Sequence, residues 1–180
     1  MARRLLFDPA TGPEFVVRWQ RYDYRLLQNG PMHRVDDSAA LRRASTLLRD
    51  LGYLVHQLEA RDWSTEADLH DAVAAALDFP RTYGRNLDAL NDCLADVAHF
   101  ERGSDPASTG TAIMIDGYDR VRAIGHPRLA DMILDIIARQ AQYAALVGHP
   151  MLCLVSTASA LDPVGATPVL RETPPIDLPG

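Results

Sequence analysis

Lysine is absent from the chain, so all 18 basic side chains among its 180 residues are arginines. That uniformity reads as a compositional bias, and no binding function is drawn from it. Cysteine is almost as scarce. Cys93 and Cys153 both lie inside apolar runs without CxxC spacing, which argues against a disulfide scaffold or a thiolate metal site and for two reduced, packed thiols. No apolar run approaches the ~20 residues a membrane-spanning helix needs. Near the start, Arg3 and Arg4 are followed by Asp8, Pro9, Gly12, Pro13 and Glu14, which interrupt any signal-peptide core. The expectation is a cytoplasmic protein without membrane contact. Also missing are a Gly-rich phosphate loop, a nucleophile elbow and an HExxH-type pair, and His56, His70 and His99 are scattered. A non-enzyme with no cofactor and no metal is expected.

What is present is acid. The 24 Asp and Glu outnumber the arginines, for a net charge of -6 and a pI near 5.4. Gripping nucleic acid requires clustered cations to neutralise phosphates, so direct nucleic-acid binding is not expected, and a basic partner is. The imbalance is uneven: residues 1–62 carry ten Arg against eight acids, residues 63–180 eight against sixteen. A function of negative sign belongs to the later part. With 47% apolar and 23% charged residues the chain has an ordinary folding composition, and its length favours one core with appendages.

Residues 1–51 read as an N-terminal extension of short strands and a helix. Leu5–Phe7 and Glu14–Trp19 form a hairpin across the Asp8 to Pro13 turn, Tyr22–Leu27 extends it, and a helix capped by Asp37 or Ser38 runs to about Asp50. From Tyr53 the pattern becomes strand, helix, helix, strand, helix, strand. Strands are expected at Tyr53–Leu58, Thr111–Ile115 and Met151–Val155, and helices at Glu66–Leu77, Asn86–Val97 and Pro127–Leu146. Short strands alternating with helices indicate an α/β fold with a parallel sheet, here of three strands packed with helices. The Pro-rich stretch 157–180 reads as an extended tail.

The most informative stretch runs from Phe79 to Asp96. Pro80 stops one helix, Asn86 can cap the next, and at 100° per residue Leu87, Leu90, Leu94 and Val97 gather on one side of it. Asp88, Asn91 and Asp92 gather on the other, with Asp96 extending the row. Like charges four residues apart cost an isolated helix a few tenths of a kcal/mol, so the row is either a solvated face or a surface for a cationic partner. Tyr83 and Gly84 fit a turn, Gly84 being suited to a positive φ, and equally fit a contact surface.

In Pro80, Tyr83, Gly84, Asn86, Leu87, Asp88, Ala89, Leu90, Asp92, Cys93 and Leu94, without a gap, this stretch resembles the signature of the barstar family of ribonuclease inhibitors. Asp68-Leu69-His70 fits as well, and the order of elements over 52–156 follows the family's domain. The resemblance implies a barstar-like fold and an inhibitor or immunity protein whose loop and second helix enter the active site of a basic ribonuclease toxin. Carboxylates there stand in for RNA phosphates. It implies partner-binding residues Thr82, Tyr83, Gly84, Asn86, Asp88, Asn91, Asp92 and Asp96, with Asp92 as central anchor and Asp88 in support. The other reading is an interaction module of the same fold with a non-nuclease partner. The stretch departs from the family's pattern in three respects: Thr82 replaces an aromatic, Asn91 replaces another, and Ala138-Arg139-Gln140 stands where the family offers an acid.

Overall fold

The computed structural model describes residues 21–163 and 167–174. Its elements in chain order are α1 Tyr22–Gln28, β1 Met32–Val35, α2 Ser38–Asp50, β2 Leu54–Glu59, α3 Glu66–Ala76, α4 Leu87–Ala98, β3 Thr111–Asp116, α5 Leu129–Leu146, β4 Met151–Ser156 and β5 Leu170–Arg171. Two 3-10 turns lie at Ala60–Asp62 and Tyr118–Ala123.

The helices start where side chains satisfy their free amides. Asp37 accepts from Ala40 N–H at 2.7 Å to open α2, Thr65 and Asp68 form a reciprocal capping box on α3, and Asn86 accepts from Ala89 N–H at 2.8 Å to open α4. The strands form one sheet in the order β2-β3-β4-β1-β5 with every pairing parallel. Every residue of β3 and β4 is buried, as expected of strands covered on both faces. Alternation divides them between two cores. Ala112, Met114, Leu152 and Leu154 face α1 and α2, while Ile113, Ile115, Cys153 and Val155 face α3, α4 and α5.

The sheet therefore has five strands, not the expected three. Strand β1 escaped detection because Met32-His33-Arg34-Val35 is short and has no apolar alternation. Its interior residue, His33, is a histidine 1% exposed whose Nε2 meets the carbonyls of Leu26 and Gly30 at 3.1 and 2.8 Å. The N-terminal region does not merely add to the fold from outside, since β1 lies inside the sheet between β4 and β5 and α2 crosses β4 and β3 to reach β2 at the far edge. Tyr22–Leu27 is helical rather than extended: Tyr22 and Leu26, one turn apart, bury together, and buried Asp23 sits in the first turn, where a carboxylate favours a helix. The strands expected at Leu5–Phe7 and Glu14–Trp19 lie outside the described residues.

Part of the tail joins the sheet. Leu170 and Arg171 pair with His33 and Arg34 of β1, Arg171 forms a two-pronged ion pair with Asp36, and Glu172 reaches Arg25 at 3.1 Å. Among the described residues no helix is long and apolar enough to cross a membrane.

Candidate functional site

Helix α4 turns its apolar side inward, burying Leu90, Cys93, Leu94, Val97 and Ala98, with Leu87 half-buried at its first turn. Burying that side forces the opposite one into solvent. Asp88 and Asp92 are exposed there, and neither has an ion-pair partner among the described residues. Asp96 is half-buried and lies 3.8 Å from Arg102, so it is less free than the two acids before it. Burial, with Asp96 and Asp92 close by, pushes the Cys93 thiol up, away from the thiolate a nucleophile requires.

The loop before α4 is anchored from beneath. Tyr83 N–H donates to Pro80 C=O at 2.9 Å, and the Tyr83 ring, 8% exposed, packs edge-on to Phe79 and His70. Its hydroxyl lies 2.5 Å from His70 Nδ1. Tyr83 thus faces the core, and the exposed part of the loop is Thr82, Gly84, Arg85 and Asn86. The positive φ falls on Arg85, at 47°, and not on Gly84. At 84 the constraint is space instead: a Cβ there would come within 3.2 Å of Asn86 Nδ2 and 3.4 Å of the Ala89 Cβ, so it would press on the residue that caps α4. Arg85 is held outside by Asp71 at 2.5 Å.

Asn91 does not stand free beside Asp88 and Asp92. Its Oδ1 accepts from Gln140 of α5 at 2.9 Å, tying the two helices together. Beside this tie α4 and α5 enclose an open groove of about 700 Å³. Carboxylates of Asp88, Asp92, Asp131, Asp135 and Asp162 line it, with Arg128 and Arg139 as the basic members. Asp131 and Asp135 line this groove although no sequence motif marks them. Their spacing on α5 was visible, with Met132 and Ile136 following each by one position, but nothing local says that this face of α5 adjoins α4. Among the described residues no cluster of three or more metal-ligating side chains occurs.

Residues 53–156 match the family model described as "Barstar (barnase inhibitor)". The chain belongs to the barstar family. A Bacillus subtilis (strain 168) protein named "Putative ribonuclease inhibitor YrdF" is 54% identical over 37 residues, which are 21% of this chain and 41% of that protein. The chain thus matches less than half the length of this relative. Among solved structures, the Aeropyrum pernix ORC2 protein in its ADPNP-ADP complexes superposes with a TM-score of 0.55 at 13% identity, covering 94% of this chain and 50% of that one. A Walker-type ATPase of Pyrococcus abyssi reaches a TM-score of 0.47 at 10% identity over 74% of this chain and 42% of its own. At 13% identity the ORC2 likeness concerns the fold. The chain contains no lysine and no GxxxxGK sequence.

Proposed function

We propose that this barstar-family protein inhibits a basic ribonuclease, acting as a toxin-neutralising immunity protein in the cytoplasm, by laying the loop from Thr82 to Asn86 and the outer face of α4 into the nuclease active site. The observation that carries the reading is the pair Asp88 and Asp92, exposed and without ion-pair partners among the described residues, on a helix whose other face is buried in the core. A ribonuclease gathers cations to hold RNA phosphates, so two unpaired carboxylates on a rigid helix meet a complementary field there. The protein supplies no nucleophile or cofactor in this reading and works by occlusion alone.

Within the reading, Asp92 is the anchor, Asp88 and Asp96 support it, and Thr82, Gly84, Asn86 and Asn91 shape the surface around them. Tyr83 contributes from beneath by holding the loop. The decisive measurement is inhibition of barnase, and of ribonucleases encoded beside this protein, by wild type, Asp88→Ala and Asp92→Ala at two salt concentrations. Both variants should bind more weakly, Asp92→Ala the more so. Truncating one member of a buried charge pair costs typically about 2–5 kcal/mol, a range to which the barnase–barstar complex itself contributed. Wild-type association should also slow as salt rises. Equal binding by all three proteins would favour the interaction module with a non-nuclease partner.

A further inference from the structure

Five large apolar side chains are exposed among the described residues, and four of them, Met132, Tyr143, Leu146 and Val147, belong to α5 and its C-cap at 42%, 50%, 82% and 47% exposure. On a helical wheel they fall with Ile136 and Arg139 into one arc of about 100°. The opposite side of α5 is sunk in the core, so this arc is an outer stripe running the length of the helix. Helix α4 and residues 162–163 leave it open, since Met132, Asp135, Ile136 and Arg139 line the groove beside them. The charges along the stripe are of both signs: Arg128, Asp131, Asp135 and Arg139. A strongly basic or strongly acidic partner would find half of them opposed. A second copy of the chain, laid antiparallel, accommodates them all.

We propose that the outer face of α5 is a self-association surface, on which two copies of the chain pair their α5 helices antiparallel about a two-fold axis near Ile137. Two-fold symmetry makes every contact occur twice. With the axis there, Asp135 meets the partner's Arg139 and Met132 packs beside the partner's Tyr143, while Asp131 comes within reach of that phenol. Arg128 lies at the C-terminal end of the partner's α5, where Leu146 takes its stem and the carbonyl ends of the helix favour its charge. Asp135 and Arg139 already pair within α5, each side chain about half exposed, so association adds the reciprocal pairs without stranding a charge. The overlap from 128 to 146 is about 28 Å of helix. One helix pair of that length buries less than the ~1,600 Å² of a standard interface, so the dimer is weak and reversible. It covers the groove beside Asp88 and Asp92. In the inhibitor reading, therefore, only the monomer is free to bind a nuclease, although the dimer itself does not depend on that reading.

The test is sedimentation equilibrium of the full chain across a dilution series at low salt. Wild type should rise from the monomer mass toward twice that mass as concentration increases. Asp135→Arg alone and Arg139→Asp alone each bring four like charges to the axis, and either should weaken association by about tenfold or more. Mixed in equal amounts, the two variants should regain wild-type association, because each acid of one then faces an arginine of the other. A misfolded variant could not be restored in this way. Met132→Ser/Tyr143→Ser should also weaken association while leaving the thermal melt of the monomer nearly unchanged, since both side chains are about half exposed. A wild type that stays monomeric throughout, single charge variants that associate as it does, or a mixture no stronger than its components would overturn the proposal.

Discussion

The hydroxyl of Tyr83 and Nδ1 of His70 lie 2.5 Å apart, and this contact is buried between α3 and the loop that leads into α4. With the imidazole neutral, placing its hydrogen on Nε2 leaves Nδ1 free to accept from the phenol and turns the N–H toward Glu66 Oε1, 3.7 Å away. Burial lowers the His70 pKa and raises that of Tyr83, so both stay uncharged near neutrality. The proposed binding loop is thus fastened to α3 by an uncharged pair.

Tyr83→Phe should therefore destabilise the fold although it removes a single atom. It strands a buried acceptor, which costs about 1–3 kcal/mol. Urea unfolding would show a lower midpoint with an unchanged slope, and inhibition should weaken as the loop loses its tether. A midpoint equal to wild type would mean that the contact contributes nothing.

Acid should loosen the protein in two steps. Burial lowers the folded-state pKa of His33, His56 and His70. Below the ordinary imidazole value of about 6.5 the unfolded chain therefore binds more protons than the folded one, and stability falls as pH falls through that point. Asp116 follows at lower pH. Burial would raise its pKa, but hydrogen bonds from Ser156 and Ser38 and the charge of Arg61 outweigh it and lower the value. Its contribution is present above the ordinary carboxylate pKa of about 3.9 and is lost as pH falls through the depressed folded value. Thermal melts at pH 7.5, 5.5 and 3.5 should fall in that order, and His70→Gln should flatten the first step.

Asp88→Ala and Asp92→Ala should separate stability from binding. Asp92→Ala removes one of two like charges spaced a turn apart on an exposed face, so folding stability should hold or rise by a few tenths of a kcal/mol, whereas Asp88 also sits in the first turn of α4, where a carboxylate favours the helix, so Asp88→Ala should leave stability within about 1 kcal/mol of wild type. Inhibition should fall. Calorimetric melts beside binding isotherms on the same samples give both numbers, and a variant that loses stability and affinity together would place its carboxylate in the fold rather than at the interface.

Asp36→Ala should release the sheet edge without unfolding the core. Arg171 grips Asp36 beside β5, and Glu172 N–H donates to Arg34 C=O at 2.8 Å. Exposed ion pairs contribute at most about 1 kcal/mol. The melting temperature should change little, while the Glu172 amide exchanges with solvent markedly faster.

Periodicity reports what one element buries, and here that was enough for the strands at Leu54–Glu59, Thr111–Asp116 and Met151–Ser156, for the amphipathic face of α4, for the Asn86 cap and for the acid row at Asp88 and Asp92. Those features depend on side chains within a few residues of one another, so the chain written in order already contains them. The tertiary structure decided the rest. Met32–Val35 becomes a strand only because β4 and β5 supply partners on either side of it, and Tyr22–Gln28 is helical where Tyr22 and Leu26 meet the core on the α2 side of the sheet. Tyr83 turns inward because His70 waits there with a free acceptor. Asp131 and Asp135 join the acids of α4 only because α5 packs beside that helix, and no local pattern in either segment encodes the contact. Local sequence determines which face an element must hide, whereas the neighbour that hides it, and the charges brought together in doing so, follow from packing between segments far apart in the chain.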